Sequence, residues 1–130
     1  MKLILDTCAI LWSVADPEKL SLHAREVMTL DSAEVFISPI SSAEIACGVE
    51  RKRIELDRHW KIWLKHFINL NGWTVVPIDL NIMEEAYSLP ESFHQDPADR
   101  LIVATARLYN MTVITGDRKI LDYPHVKSLC

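Results

Sequence analysis

Asp6, Glu44, Asp99 and Asp117 are the side chains whose type and setting point to chemistry. Asp6 directly follows the apolar run Leu3-Ile4-Leu5, and Glu44 falls in the expected first turn of a helix opening near Ser41 or Ser42. Asp99 stands just past a capping Asp96, and Asp117 follows Val113-Ile114-Thr115-Gly116. Gathered within several ångströms, four carboxylates would repel and raise one another's pKa. A hard divalent cation that prefers oxygen ligands, Mg²⁺ or Mn²⁺, removes that repulsion and keeps waters of its own. Such a centre activates water and stabilises charge on a phosphoryl oxygen, so the array suits hydrolysis of a phosphodiester.

Each acid also has an ordinary reading. Asp6, Asp96 and Asp117 suit helix caps or turns, Glu44 suits a first turn favoured by the helix dipole, and Asp99 would extend the capping. Asp79 serves as a control, since it too follows a strand and reads as a cap. The elements decide whether the acids meet.

Residues 2–5 read as a short apolar strand buried on both faces, as in a parallel sheet. A helix over 8–15 ends at Asp16-Pro17, and Ser21 caps another through about residue 31. Residues 35–37 form a second strand, and the helix after it buries Ile45, Ala46 and Val49. Trp60, Trp63, Leu64, Phe67 and Ile68 recur at helical spacing until Asn71-Gly72. Residues 73–78 predict a third strand, placed at a sheet edge by Pro77. Asp79 opens a helix carrying Ile82, Met83, Ala86 and Tyr87. After a loop over 90–95, Asp96 caps a helix with Pro97 at its first position and a stripe of Leu101, Ile102, Ala104, Thr105 and Leu108. Residues 111–115 predict a fourth strand and 125–129 a short last one. Strands alternating with helices predict one α/β domain over 1–130. It is a three-layer sandwich with a central, mostly parallel sheet of four or five strands. Parallel strands share a carboxyl edge, where the helices that follow them begin. Asp6, Glu44 and Asp117 belong to that edge, and Asp99 joins them if its helix runs antiparallel to the strands.

Composition narrows the classes. At 49% hydrophobic residues the chain can fill a core without disulfides. Cys8, Cys47 and Cys130 are scattered and odd in number, which argues against a structural zinc site and for thiols in a reducing cytoplasm. The start is interrupted by Asp6 before a signal-peptide core forms, and no run approaches a membrane span. Gly48, Gly72 and Gly116 are the only glycines, too few for a dinucleotide or P-loop fingerprint. The net charge of −4 alone argues mildly against nucleic acid, unless the acids cluster at a metal and the bases lie elsewhere.

Four stretches together resemble the PIN-domain ribonucleases of the VapC toxin type. They are Leu5-Asp6-Thr7, Ser42-Ala43-Glu44-Ile45, Asp96-Pro97-Ala98-Asp99-Arg100-Leu101-Ile102 with Ala104-Thr105-Ala106, and Val113-Ile114-Thr115-Gly116-Asp117. Each is weak alone, but their order and separations are specific, and the likeness spans nearly the whole chain. The resemblance implies that Asp6, Glu44, Asp99 and Asp117 hold Mg²⁺ or Mn²⁺ and cut single-stranded RNA, leaving a 5′-phosphate. It places Thr115 where the family often has a hydroxyl near the site. It further implies a homodimer and an antitoxin that silences the site.

RNA demands positive charge along its path. Arg100 and Arg118 adjoin proposed ligands and are the expected phosphate contacts, with Thr115 beside them. Arg100 has a structural salt bridge as its other reading. Arg51, Lys52, Arg53, Arg58, Lys61 and Lys65 read first as a solvated helix face, and Trp60, Trp63 and Phe67 as core. The histidines lack ligand spacing. Two alternatives stand beside the nuclease. One is a haloacid-dehalogenase-type phosphatase using Asp6 as nucleophile, though Cys8 stands where a second Asp should act. The other is a non-catalytic binding module.

Overall fold

A computed structural model describes residues 1–130. Five strands form one parallel sheet in the order β3-β2-β1-β4-β5. They are β1 (Lys2–Leu5), β2 (Glu34–Ile37), β3 (Thr74–Val75), β4 (Thr112–Ile114) and β5 (Lys127–Leu129). The helices are α1 (Thr7–Ala15), α2 (Leu22–Met28), α3 (Ile40–Glu50), α4 (Trp60–Asn71), α5 (Leu80–Ala86), α6 (Pro97–Tyr109) and α7 (Arg118–Leu121). A single 3₁₀ turn at Pro17–Lys19 joins α1 to α2.

The sheet is buried on both faces, which is why its central strand is an unbroken apolar run. Leu3, Ile4 and Leu5 are all inaccessible to solvent. Alternation sends Ile4 and Val113 to one face, where α5, α6 and α7 cover them with Ile82, Ile102, Val103 and Ile120. Leu3, Leu5 and Ile114 point the other way, to Ile10, Ala24, Ile45 and Trp63 of α1 to α4. The result is a three-layer sandwich with a separate core on each side of the sheet.

The chain steps outward from β1 through β2 to β3, then crosses back to β4 on the other side of β1. Connections therefore diverge between β1 and β4, the kind of switch point where open α/β sheets form ligand crevices. Asp6 leaves β1 and Asp117 follows β4, so both lie at this point.

Several boundaries differ from the sequence reading. α3 begins at Ile40 rather than after Ser41 or Ser42, because Pro39 occupies the cap position and Ser38 Oγ accepts from Ile40 N at 3.3 Å. Glu44 accordingly belongs to the second turn. α2 stops at Met28, where the Thr29 hydroxyl donates to the Arg25 and Glu26 carbonyls and ends the ladder. β3 is two residues long instead of six. Trp73 is drawn into the core before it, and Pro77, which has no N–H to donate, follows it at the sheet edge. α4 ends at Gly72, whose φ of 67° suits the left-handed cap position. Trp63 is buried, with Trp60 and Phe67 partly buried beside it, so the aromatic stripe is core. No helix is long and apolar enough to cross a membrane.

Candidate active site

Asp6 is the deepest of the four acids, with only 5% of its surface exposed. One carboxylate oxygen caps α1, accepting from Ala9 N at 2.8 Å, and the other accepts from the Thr115 hydroxyl. Burial pushes its pKa up to about 6 despite those two hydrogen bonds, and the charges of Asp117 and Glu44 add to the rise.

Glu44 reaches across from α3, where it accepts from the Thr7 hydroxyl; Thr7 also bonds the Ser41 hydroxyl at 3.0 Å. Burial raises its pKa, the Thr7 bond opposes this, and Asp96 raises it further. Asp117 caps α7 by accepting from Lys119 N at 2.9 Å, while its own N–H donates to Thr115 Oγ1 at 2.9 Å.

Asp99 stands in the first turn of α6. Its N–H is satisfied by the Asp96 carboxylate at 3.0 Å, leaving its own side chain free to face the crevice. Burial holds its pKa well above the usual carboxylate range, a hydrogen bond shared with Asp117 adds to this, and the charges of Asp96, Asp117 and Asp6 follow. His94 Nε2 lies 2.9 Å from Asp99 Oδ2, out of line for a hydrogen bond, and is otherwise a buried nitrogen without a partner. Ligand atoms of His94, Asp99 and Asp117 lie within 4.8 Å of one another.

All four acids line one crevice of about 780 Å³. The Cys8 thiol on its wall registers the local field. Desolvation against the wall and then the charges of Asp6, Glu44, Asp117 and Asp99 push its pKa up to about 11. Hard oxygen donors that are buried and close together, and so reluctant to ionise without a cation, fit one of the Mg²⁺ or Mn²⁺ class. The His94 nitrogen beside Asp99 is a further ligand atom at the same place.

A sequence model described as PIN domain matches residues 3–126 of this chain. The chain belongs to the PIN domain family. It is 33% identical over 122 residues to Ribonuclease VapC22 of Mycobacterium tuberculosis, an alignment covering 94% of this chain and 92% of that protein. Its fold is that of the structure of VapBC2 from Rickettsia felis bound to a promoter DNA fragment, with a TM-score of 0.71 at 18% identity. That match covers 98% of this chain and 97% of the other. DNA-bound VapBC from Salmonella typhimurium gives a TM-score of 0.69 at 20% identity, with 98% and 96% covered.

Within this PIN domain three expected substrate contacts have other work. The Arg100 guanidinium donates to the carbonyl oxygens of Ala86, Phe93 and His94 at 2.9, 2.8 and 2.9 Å, and lies over the Tyr87 ring. Three of its five N–H groups are spent on these carbonyls, and it does not line the crevice. Arg118 points outward to Asp122 at 3.3 Å and does not line the crevice. Thr115 is fully buried and orients acids instead of touching anything in the cleft. Asp96 caps α6, lines the crevice and charges it.

Other residues do face the crevice. Arg51, Arg53 and Lys119 line it, as does His94. The first two are part of the basic stretch read as a solvated helix face. Nothing in residue spacing marks His94, because its nearest acid partner in space is reached through a loop. Its adjacency to Asp96 in His94-Gln95-Asp96 was the one available signal.

Proposed function

We propose that this PIN domain is a Mg²⁺- or Mn²⁺-dependent endoribonuclease toxin that hydrolyses phosphodiester bonds in single-stranded RNA. The observation that carries this reading is the convergence of the Asp6, Glu44, Asp99 and Asp117 carboxylates on one crevice. The 33% identity to a protein named Ribonuclease VapC22 supports the substrate class. The fold's likeness to toxin–antitoxin complexes, among them one from Klebsiella pneumoniae with a TM-score of 0.67, supports an antitoxin partner. A cytoplasmic homodimer completes the proposal.

Asp6, Glu44, Asp99 and Asp117 would hold the cation. When bound, it supplies activation of water and charge stabilisation at a phosphoryl oxygen. The protein's own part is placement. Ala9 N–H and Thr115 fix both oxygens of Asp6, Thr7 fixes Glu44, and the α7 cap fixes Asp117. Preset ligands avoid the cost of ordering them during the reaction. Hydrolysis forms a bond from water oxygen to phosphorus and breaks the bond to the 3′-oxygen, which takes a proton and leaves a 5′-phosphate. A phosphatase using Asp6 as nucleophile would need a proton donor at position 8. The Cys8 thiol, with its pKa near 11, serves that role poorly.

The test is cleavage of a single-stranded RNA with Mg²⁺, with EDTA, and by the Asp6→Asn and Asp99→Asn variants. Cutting is expected only by the parent protein with metal. Undiminished cutting by both variants and in EDTA overturns the reading.

A further inference from the structure

The crevice poses an electrostatic problem, because a polyanionic strand must approach a cluster of carboxylates on a chain of net charge −4. The cations that face it are Arg51, Arg53 and Lys119. Four other arginines are already engaged. Arg107 pairs with Glu85, Arg118 with Asp122, Arg58 with Asp57, and Arg100 is held by carbonyls. Arg51, Arg53 and Lys119 enter no ion pair.

The two arginines sit on a clamped turn. Arg51 N donates to Cys47 O at 2.9 Å, and the N–H groups of Arg53 and Ile54 both donate to Gly48 O, at 2.8 and 3.1 Å. Ile54 folds onto Gly48 so closely that a Cβ there would lie 2.3 Å from Ile54 Cδ1. The backbone that carries the guanidinium groups is thereby fixed beside Glu44. Lys119 sits on the far side, in the first turn of α7 beside Asp117. β2 and β4 flank β1, so these cations stand on opposite sides of Asp6. A strand laid over the acids meets fixed positive charge before and after them.

We propose that Arg51, Arg53 and Lys119 are the phosphate track of this PIN domain, gripping the RNA backbone on both sides of the bond to be cut. The track rests on the nuclease reading above. It replaces Arg100 and Arg118 as the backbone contacts.

The test measures binding of a labelled single-stranded RNA oligonucleotide to the non-cutting Asp99→Asn protein with Mg²⁺, across a salt series. Adding Arg51→Ala and Arg53→Ala is expected to weaken binding at least tenfold. The slope of log affinity against log salt should shrink by about 1.4, from about 0.7 for each lost contact on a single strand. Arg51→Lys with Arg53→Lys should keep the slope, and the charge-matched Lys61→Ala with Lys65→Ala should leave it unaltered. An unchanged slope in the Arg51→Ala, Arg53→Ala protein, with RNA still bound, overturns the track while the nuclease reading stands. So does a loss equal to that of the Lys61 and Lys65 control. If the Asp99→Asn protein binds no RNA while the parent cuts none, the nuclease reading itself falls. Selective capture of an acidic peptide, with RNA affinity untouched by these substitutions, reassigns the surface to a protein partner and also overturns the track.

Discussion

Thr115 and Asp6, 109 positions apart in the chain, share a buried hydrogen bond between the ends of β4 and β1. The same hydroxyl accepts from the Asp117 N–H, so one side chain sets the orientation of two acids. Thr115→Val preserves shape but strands a buried acceptor, which costs about 1–3 kcal/mol. Activity should fall roughly 10- to 100-fold, by the logic that misplaced catalytic groups lose orientation. Thr115→Ser should keep most of both. Thermal melts and initial cleavage rates read the two effects separately, and a fully active Thr115→Val would refute the orienting role.

Burial of the acids, reinforced by their mutual charge, predicts a pH dependence. Asp6 titrates near 6 in the folded protein, above its unfolded value, so its folded state is favoured when protonated. That stability is complete below the unfolded pKa of about 4 and is lost as pH rises through about 6, on the order of 3 kcal/mol in all. Asp99 acts in the same direction. In EDTA the protein should melt higher near pH 5 than at pH 7.5, and Mg²⁺ should recover stability at the higher pH.

The same sign predicts a trade between stability and function. Asp99→Asn removes a carboxyl that the folded site keeps protonated but that ionises freely on unfolding, so the cost of holding that proton disappears. At pH 7.5 in EDTA this variant should melt several degrees above the parent while cutting no RNA. A lower melting point would show that the native fold tolerates the charge better than its burial implies.

Arg100 tests positioning without contact. Its three carbonyl bonds tie the end of α5 to the 93–94 segment that leads into α6. Arg100→Lys keeps the charge but loses the fork, and should cost about 2 kcal/mol in urea unfolding. Its turnover should drop more than its apparent RNA affinity, since Asp99 is displaced and the phosphate track is not. Arg118→Ala should lie within about 0.5 kcal/mol of the parent.

Gly116 is needed for space. A Cβ there would lie 2.3 Å from Trp12 Cη2. Gly116→Ala should destabilise by about 1–3 kcal/mol through overpacking next to Asp117, and Trp12→Leu should relieve much of it. An unaltered Gly116→Ala melt would mean that the indole yields freely.

Much of this architecture was legible because its signals are local. The apolar run of β1, the Asp96-Pro97 helix start and the Asp79 cap each follow from a few adjacent residues, and the alternation of elements gave the parallel sheet. The acids were legible for a related reason: each lies within a few residues of an element end at the carboxyl edge. Treating cap and site as competing readings was the error. A carboxylate has two oxygens, and Asp6 and Asp117 cap a helix while still facing the crevice. Arg100 and Arg118 do not line the crevice they were expected to serve, because nearness in sequence to an acid says nothing of direction. On a helix the next residue points about 100° away, which carries Arg100 from the crevice to the carbonyls beneath. That Arg51 and Arg53 line the crevice depends on how the turn closing α3 folds back onto Gly48, which charge and helical spacing alone do not reveal.

All five strands run the same way, so the four candidate ligand acids and the crevice-facing cations gather at one rim of the sheet. The opposite rim holds the turns that feed the strands, such as the exposed residues 29–32 ahead of β2, and the Met1 ammonium that donates to Ser32 O. Lengthening such a turn adds little closure entropy. A peptide tag or fluorescent reporter spliced between Leu30 and Ser32 would therefore ride on the quiet end of the molecule, leaving the working end free to be watched in action.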